Sequence, residues 1–453
     1  MPIDIPATIA AIPSIDRFPS VDEMQAELDR LAAGYPELVE IRRIGTSRQG
    51  EPIRMLSIGS GERNVLVFGG PHPNEPVGAL TVRELGRALC ADDALRKDLG
   101  CRWHFVPCVD PDGARLNEGW YARPDSRERY GREFYRPAGD EQVEWTFPHL
   151  SGPGYFDRML PETVALTRVI DELKPAVMCS LHNGEYGGVF HYVSTADPDL
   201  AARLAAVPGY EDLPLHKAVW EIPASNLITP GVILAPGIAE TTAAMPAGVE
   251  AATGASSMDY AAPYGTVSVI TEVPYWEDES AADTSPCGRT FGEIVGEIIT
   301  ACEETAQQLT GLIEDAGNDL TLDTPFRRAF QDGLRGLAEM SSSWRALLSD
   351  ADAAGRSATV SEEFSFRMLP HMLRVRYGGT ALRLFGAETG AGNVRAGVRR
   401  GLAEAERLFT GWLTEADTAL PGKRVDIRRV VAVQVGSALA AAEFVRDRDA
   451  GPA

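Results

Sequence analysis

Apolar positions along the chain fall into two regimes. In the first, short apolar runs of strand length alternate with stretches of helical period. Residues 20–34 (SVDEMQAELDRLAAG) predict an amphipathic helix opened by a Ser cap. Apolar runs at 38–44 and 53–58 flank a Gly/Ser/Arg/Gln turn and predict a hairpin. Residues 65–69 (VLVFG) predict a buried strand, 77–90 a helix and 101–107 a strand. The alternation continues with a helix at 160–173 and strands at 176–181, 189–194 and 266–272. Strands alternating with helices predict an α/β fold, a sheet covered by helices on both faces. From about residue 287 the pattern changes. The stretch FGEIVGEIITACEETAQQLTGLIEDAG is helical in period, as are 326–350, 361–378, 394–419 and 424–447, and no strand signal accompanies them. A boundary near the LTLDTP segment divides the chain into a region 1–318 and an all-helical region 319–453.

Composition narrows the class. Of 453 residues, 44% are hydrophobic and 24% charged, so the chain can bury a sizeable core. Asp and Glu number 65 against 43 Lys and Arg, a net charge of −22. A field of that sign repels phosphate backbones and argues against a nucleic-acid partner. No stretch approaches the ~18 apolar residues of a membrane span. The N-terminal MPIDIPATIAAIPSIDRFPS lacks the basic start of a secretory signal. Six scattered cysteines without a CxxC pair read as free thiols; together these features predict a cytoplasmic protein.

The candidate chemistry sits at strand ends. Strand 65–69 runs into GGPHPNEPVG, which places His72 and Glu75 as an H-x-x-E pair past its carboxyl end. In open α/β sheets, ligand sites lie at that edge. A catalytic zinc takes three protein ligands, and His₂Glu is one of the standard sets. The run AVMCSL leads straight into His182, a second strand-end histidine for the same edge. Singly, each has a structural reading: a loop histidine, a helix-capping glutamate, a core histidine. Chance alignment of all three at strand ends is much rarer. Zinc hydrolysis also needs a carboxylate as general base. Glu272 ends the apolar strand GTVSVITE, where a charge is costly without a role. His104 and His191 lie within strands and read as packing residues.

In this order the motifs are specific, and the chain is similar to the zinc-carboxypeptidase family of metallopeptidases, the carboxypeptidase A and B type. The similarity covers roughly residues 17–300 and includes YPELVEIRRIGTSRQGEPIRMLSIG, GGPHPNEPVG, DPDG, SLHN, and SSMDY followed by TVSVITE. The resemblance implies a mixed eight-stranded sheet between helices. It implies one zinc per chain held by His72, Glu75 and His182, with Glu272 as base. It also implies an oxyanion-stabilising arginine. Arg115, Arg123, Arg127, Arg129, Arg132 and Arg136 follow DPDG; Arg136, in FYRP, is favoured, with Arg115 and Arg123 next as substrate-binding candidates.

The departures bear on substrate. Where the family holds a free carboxylate with an Asn-Arg pair, QVEWTFP puts Glu144 and Trp145. An acidic Glu144 cannot bind a carboxylate; it suits an amine or packing. No tyrosine occupies the place of the family's mobile tyrosine, although Tyr260 and Tyr264 are near. Met258 falls near the position that tunes the side-chain pocket, which points to an apolar or small side chain. The expected function is zinc-dependent hydrolysis of a peptide or small amide, most simply as a metallocarboxypeptidase. The HPNEPVG loop also resembles the succinylglutamate desuccinylase and aspartoacylase relatives, so a small N-acyl amino acid deacylase is the alternative, and a non-catalytic binding module the third. The C-terminal helices are expected to cover the cleft, restrict substrate size or form a homo-oligomer.

Overall fold

The computed structural model describes residues 3–150, 154–219, 226–242 and 251–450. The first helix, α1 (Val21–Gly34), opens with a capping box in which Ser20 and Glu23 satisfy each other's backbone amides. The hairpin follows as β1 (Val39–Thr46) and β2 (Pro52–Ile58), paired antiparallel. Then come β3 (Arg63–Gly69), α2 (Val77–Ala91), β4 (Cys101–Val106), α3 (Pro161–Leu173), β5 (Val177–His182) and β6 (Phe190–Val193). The short β7 (Leu227–Thr229) and β8 (Val232–Leu234) precede β9 (Val267–Glu272).

These strands form one mixed sheet in the order β1-β2-β4-β3-β5-β9-β6-β8-β7. The expected eight strands are nine, because the β7/β8 hairpin extends the edge beyond β6. At the centre, β3, β5 and β9 run parallel as neighbours, so their carboxyl ends open on the same edge. All of β5 is buried, as expected of a central parallel strand covered on both faces.

The helices expected from about residue 287 onward divide between two cores. The helices α4 (Phe291–Ala316), α5 (Pro325–Leu348), α6 (Val360–Gly390) and α7 (Ala396–Ala419) share one hydrophobic cluster centred on residues such as Phe330, Leu369 and Phe385. The last helix, α8 (Ile427–Ala450), instead joins the core of the sheet, where Val431, Val433 and Leu439 are fully buried. It is apolar nearly all round because it lies against the sheet, α2 and the helix Pro198–Ala206 at once. The helices α4–α7 are thus interposed between β9 and the helix that completes the α/β layers. Short strands sit at both ends of this unit: Pro286–Thr290 pairs with Ser357–Thr359, and Lys423–Arg424 with Trp276–Glu277.

All six cysteines are free thiols. No described helix is long and apolar enough to cross a membrane.

Candidate metal centre and cleft

The site begins with a close approach. Gly69 ends β3 and Gly78 lies in the first turn of α2; a Cβ on Gly78 would fall 2.7 Å from the Cα of Gly69. Only glycine permits this contact. It folds residues 70–76 into a tight loop that projects His72 and Glu75 over the carboxyl edge of the sheet. His182 ends the neighbouring β5, and Glu272 ends β9 directly opposite it in register. Three adjacent strands therefore deliver the four residues to one place.

His72, Glu75 and His182 are all buried, and their ligand atoms lie within 4.8 Å of one another. Nδ1 of His182 is 2.9 Å from Oε2 of Glu75, while its Nε2 meets the Ser180 hydroxyl at 2.9 Å. Ser180 thus fixes the ring and leaves Nδ1 turned to Glu75. Nδ1 of His72 is buried with no hydrogen-bond partner among the described residues. An orphaned ring nitrogen facing a buried histidine–carboxylate pair is costly unless a ligand completes it. The electrostatics agree. Burial and the charges of Arg136 and His182 hold His72 well below the usual imidazole range. Burial opposes protonation of His182 too, but Glu75 outweighs it and lifts His182 to about 9. Two histidines and a carboxylate suit zinc by donor chemistry.

Glu272 lies 4.0 Å from Nδ1 of His182, and 14% of its side chain is exposed. It borders a cavity of about 900 Å³ that also takes in the three metal-site residues, Arg136, Glu144 and Met258. Arg136 donates from Nη1 to Glu75 at 3.2 Å and from Nε to Gln142 at 3.0 Å. Met258 packs with Phe190, Tyr192 and Ile233 at an apolar end of the cavity.

The remaining expectations are sorted by geometry. Arg115 is corrected: it faces outward, paired with Glu51 at 2.5 Å and Asp22 at 2.8 Å. Arg123 is corrected likewise; it is exposed at the end of a short helix, away from the cavity. Arg127 reaches Asp417, Arg129 Asp125 and Arg132 Glu406. Of the six arginines, only Arg136 lines the cavity. Glu144 is buried, and its carboxylate accepts from the Ser257 amide at 3.0 Å and the Ser257 hydroxyl at 2.7 Å. Burial pushes it above the usual carboxylate range. Trp145 is partly exposed, its ring 6.1 Å from that of His72. The hydroxyls of Tyr260 and Tyr264 both donate to Asp171, outside the cavity. His104 bonds Ser57 and Asn64, and His191 meets Thr271, as strand packing requires.

The sequence pattern missed contributors from two segments. Glu185, three residues past His182, is buried in the same loop and lines the cavity. Arg376, Met368 and Met372 come from one face of α6 and wall the cavity from the helical unit. Nothing in that helix's periodicity distinguishes these positions from ordinary packing.

Comparison with known proteins finds similarity to carboxypeptidases. Carboxypeptidase B of Astacus astacus is 30% identical over 97 residues, 20% of this chain and 32% of that protein. Zinc carboxypeptidase A 1 of Anopheles gambiae is 31% identical over 137 residues, 28% of this chain and 30% of that one. The chain thus spans about a third of the length of these curated relatives. The crystal structure of carboxypeptidase A from Helicoverpa armigera aligns with a TM-score of 0.41 at 18% identity, over 60% of this chain and 70% of that one. The sequence model of the family described as zinc carboxypeptidase matches residues 24–226. That stretch holds His72, Glu75 and His182 and ends before Glu272 and α4–α7. Over that stretch, somewhat less than half of its length, the chain is similar to the zinc carboxypeptidase family.

Proposed function

We propose that this protein is a zinc-dependent metallopeptidase that hydrolyses a peptide or related amide bond, most simply as a metallocarboxypeptidase. The observation that carries the reading is the buried set His72, Glu75 and His182 with Glu272 in register beside it. His72, Glu75 and His182 would hold the zinc. When bound, zinc would supply Lewis-acid polarisation of the amide carbonyl and make a neighbouring water more acidic. Glu272 sits at the mouth of the set, partly exposed, and is the group placed to take a proton from the attacking water and return it to the leaving nitrogen. Arg136, steadied by Glu75 and Gln142, brings a fixed positive charge to the carbonyl oxygen as it becomes an oxyanion. The apolar surface around Met258 and Ile270 suits an apolar side chain.

One observation favours a second reading. The Glu144 carboxylate accepts two hydrogen bonds from Ser257, and among the described residues no Lys or Arg pairs with it. A small N-acyl amino acid deacylase therefore stays in view. The test is incubation of zinc-loaded protein with matched peptides, one ending in a free carboxylate and one amidated, with products read by mass spectrometry. Stepwise loss of C-terminal residues from the free peptide alone supports the carboxypeptidase. Cleavage of neither, with turnover of N-acyl amino acids, supports the deacylase. No hydrolysis of any amide by protein that retains zinc overturns both and leaves a binding module.

A further inference from the structure

The cavity has two unlike ends. Met258, Tyr192 and Ile270 make one end apolar. At the other, Arg376 enters from α6, a helix outside the stretch matched by the family. Its Nε donates to Oε1 of Glu185 at 2.5 Å, and the Tyr130 hydroxyl donates to the same oxygen. The guanidinium also lies over the Phe134 ring, 5.4 Å from its centre. These contacts hold the side chain in place. Its two Nη groups donate to no described residue, and the side chain is 15% exposed where it borders the cavity. The Glu185 side chain is only 2% exposed, and one of its oxygens accepts twice. The Nη groups of Arg376 are therefore the donors left for a ligand here, although Glu185 and the exposed Glu339 also line the cavity.

Position along the cleft follows from the neighbours. Phe134, under the Arg376 guanidinium, is two residues from Arg136, and both arginines line the cavity. Glu272 stands beside His182. With an apolar side chain of the leaving residue seated at the Met258 cluster, as proposed above, the acyl portion is the part of the substrate left to meet Arg376.

We propose that Arg376 selects amides that carry a carboxylate on the acyl side of the scissile bond, with an acidic residue preceding an apolar one as the substrate class. This rests on the roles of Glu272 and Arg136 proposed above. A planar guanidinium with two free donors matches a carboxylate with two oxygens.

The experiment uses the zinc-loaded full chain and two isosteric substrates, benzoyl-Glu-Phe and benzoyl-Gln-Phe. The acid should be preferred by roughly ten- to a hundredfold in kcat/KM, chiefly through KM, the size of one charged hydrogen-bonded contact. Arg376→Met should level the two, and Arg376→Lys should restore part of the preference. The double variant Arg376→Met, Glu185→Gln removes the carboxylate otherwise left buried and unpaired, so that a folding defect is separable; it too should show no preference. A structural strut would lower both rates and leave their ratio unchanged, which overturns the proposal, as does a wild type that prefers the glutamine peptide. If neither substrate is cleaved, the hydrolytic reading fails on its own. Calorimetric binding of the same two peptides then decides: tighter binding of the acid that Arg376→Met abolishes upholds the role of Arg376, and equal or absent binding overturns it.

Discussion

The side-chain amide of Gln434 donates to the backbone carbonyl of His182 at 2.7 Å. The same Nε2 lies 3.4 Å from the carbonyl of Thr271, next to Glu272, and its Oε1 accepts from the Thr81 hydroxyl at 2.7 Å. One fully buried amide on α8 thus joins the ends of β5 and β9 to α2, the helix that follows the His72–Glu75 loop. The three segments that carry the site are fastened by a residue more than 150 positions away in sequence.

Gln434→Leu keeps the volume and leaves these partners unsatisfied. Each buried group left unpaired costs about 1–3 kcal/mol, so thermal unfolding of the metal-free variant should fall by several degrees. Zinc affinity, read by chelator competition, should drop about tenfold or more as His182 loses its support. Wild-type zinc affinity in the variant would show that the clamp does not position the ligand.

Glu272→Gln should retain one zinc per chain by elemental analysis and lose roughly 10²–10⁴-fold in turnover, the usual contribution of a positioned proton acceptor. His182→Ala should lose both metal and activity. Zinc stoichiometry surviving that change would remove His182 from the ligand set.

Asp110 supplies a pH test away from the metal. It is fully buried; its Oδ1 accepts from the Gly113 amide at 2.9 Å, and its Oδ2 has no described partner. Burial pushes it up to about 7, partly offset by the Gly113 hydrogen bond. The folded chain then holds a proton that the unfolded chain releases near pH 4, so this group's stabilisation is complete below that pH and is lost as the pH rises to 7. Asp110→Asn removes the loss. Its stability relative to wild type should rise from pH 4 to 7 and level off above, by about 1.4 kcal/mol per pK unit. Urea denaturation of both proteins at pH 4, 6 and 8 measures it, and parallel profiles would contradict it.

Gly379 fixes how α6 meets the α/β layers. A Cβ there would lie 1.7 Å from the carbonyl oxygen of Gly131, in the helix Arg127–Glu133. Backbone cannot yield that distance, so Gly379→Ala should cost about 1–3 kcal/mol or more and shift Arg376 one turn away. Gly386→Ala, on the same helix with nothing within 4 Å, should be neutral or stabilising by up to about 1 kcal/mol. Equal melting temperatures for the two variants would show that the contact is not tight in solution.

The alternation of apolar runs was enough to place α1, the β1/β2 hairpin, β3, β5 and β9, because each is long enough to show its period. The three-residue strands β7 and β8 were not legible, since two or three alternating positions do not separate a strand from a loop. His72, Glu75, His182 and Glu272 could be read because strand ends are marked in the sequence and parallel neighbours share an edge. Arg136 could not be separated from five nearby arginines by spacing; its contact with Glu75 does so.

What the sequence by itself determined is the local chemistry: which side chains end the strands, which helices have an apolar face, and that the donor set suits zinc. What only the tertiary structure decided is which distant segments close around that chemistry. The period of α8 is as helical as that of α7, yet one completes the sheet and the other packs in a separate core. Arg376, Glu185 and Gln434 acquire their positions from contacts between segments far apart in the chain, and helical period records which face is buried but not against what.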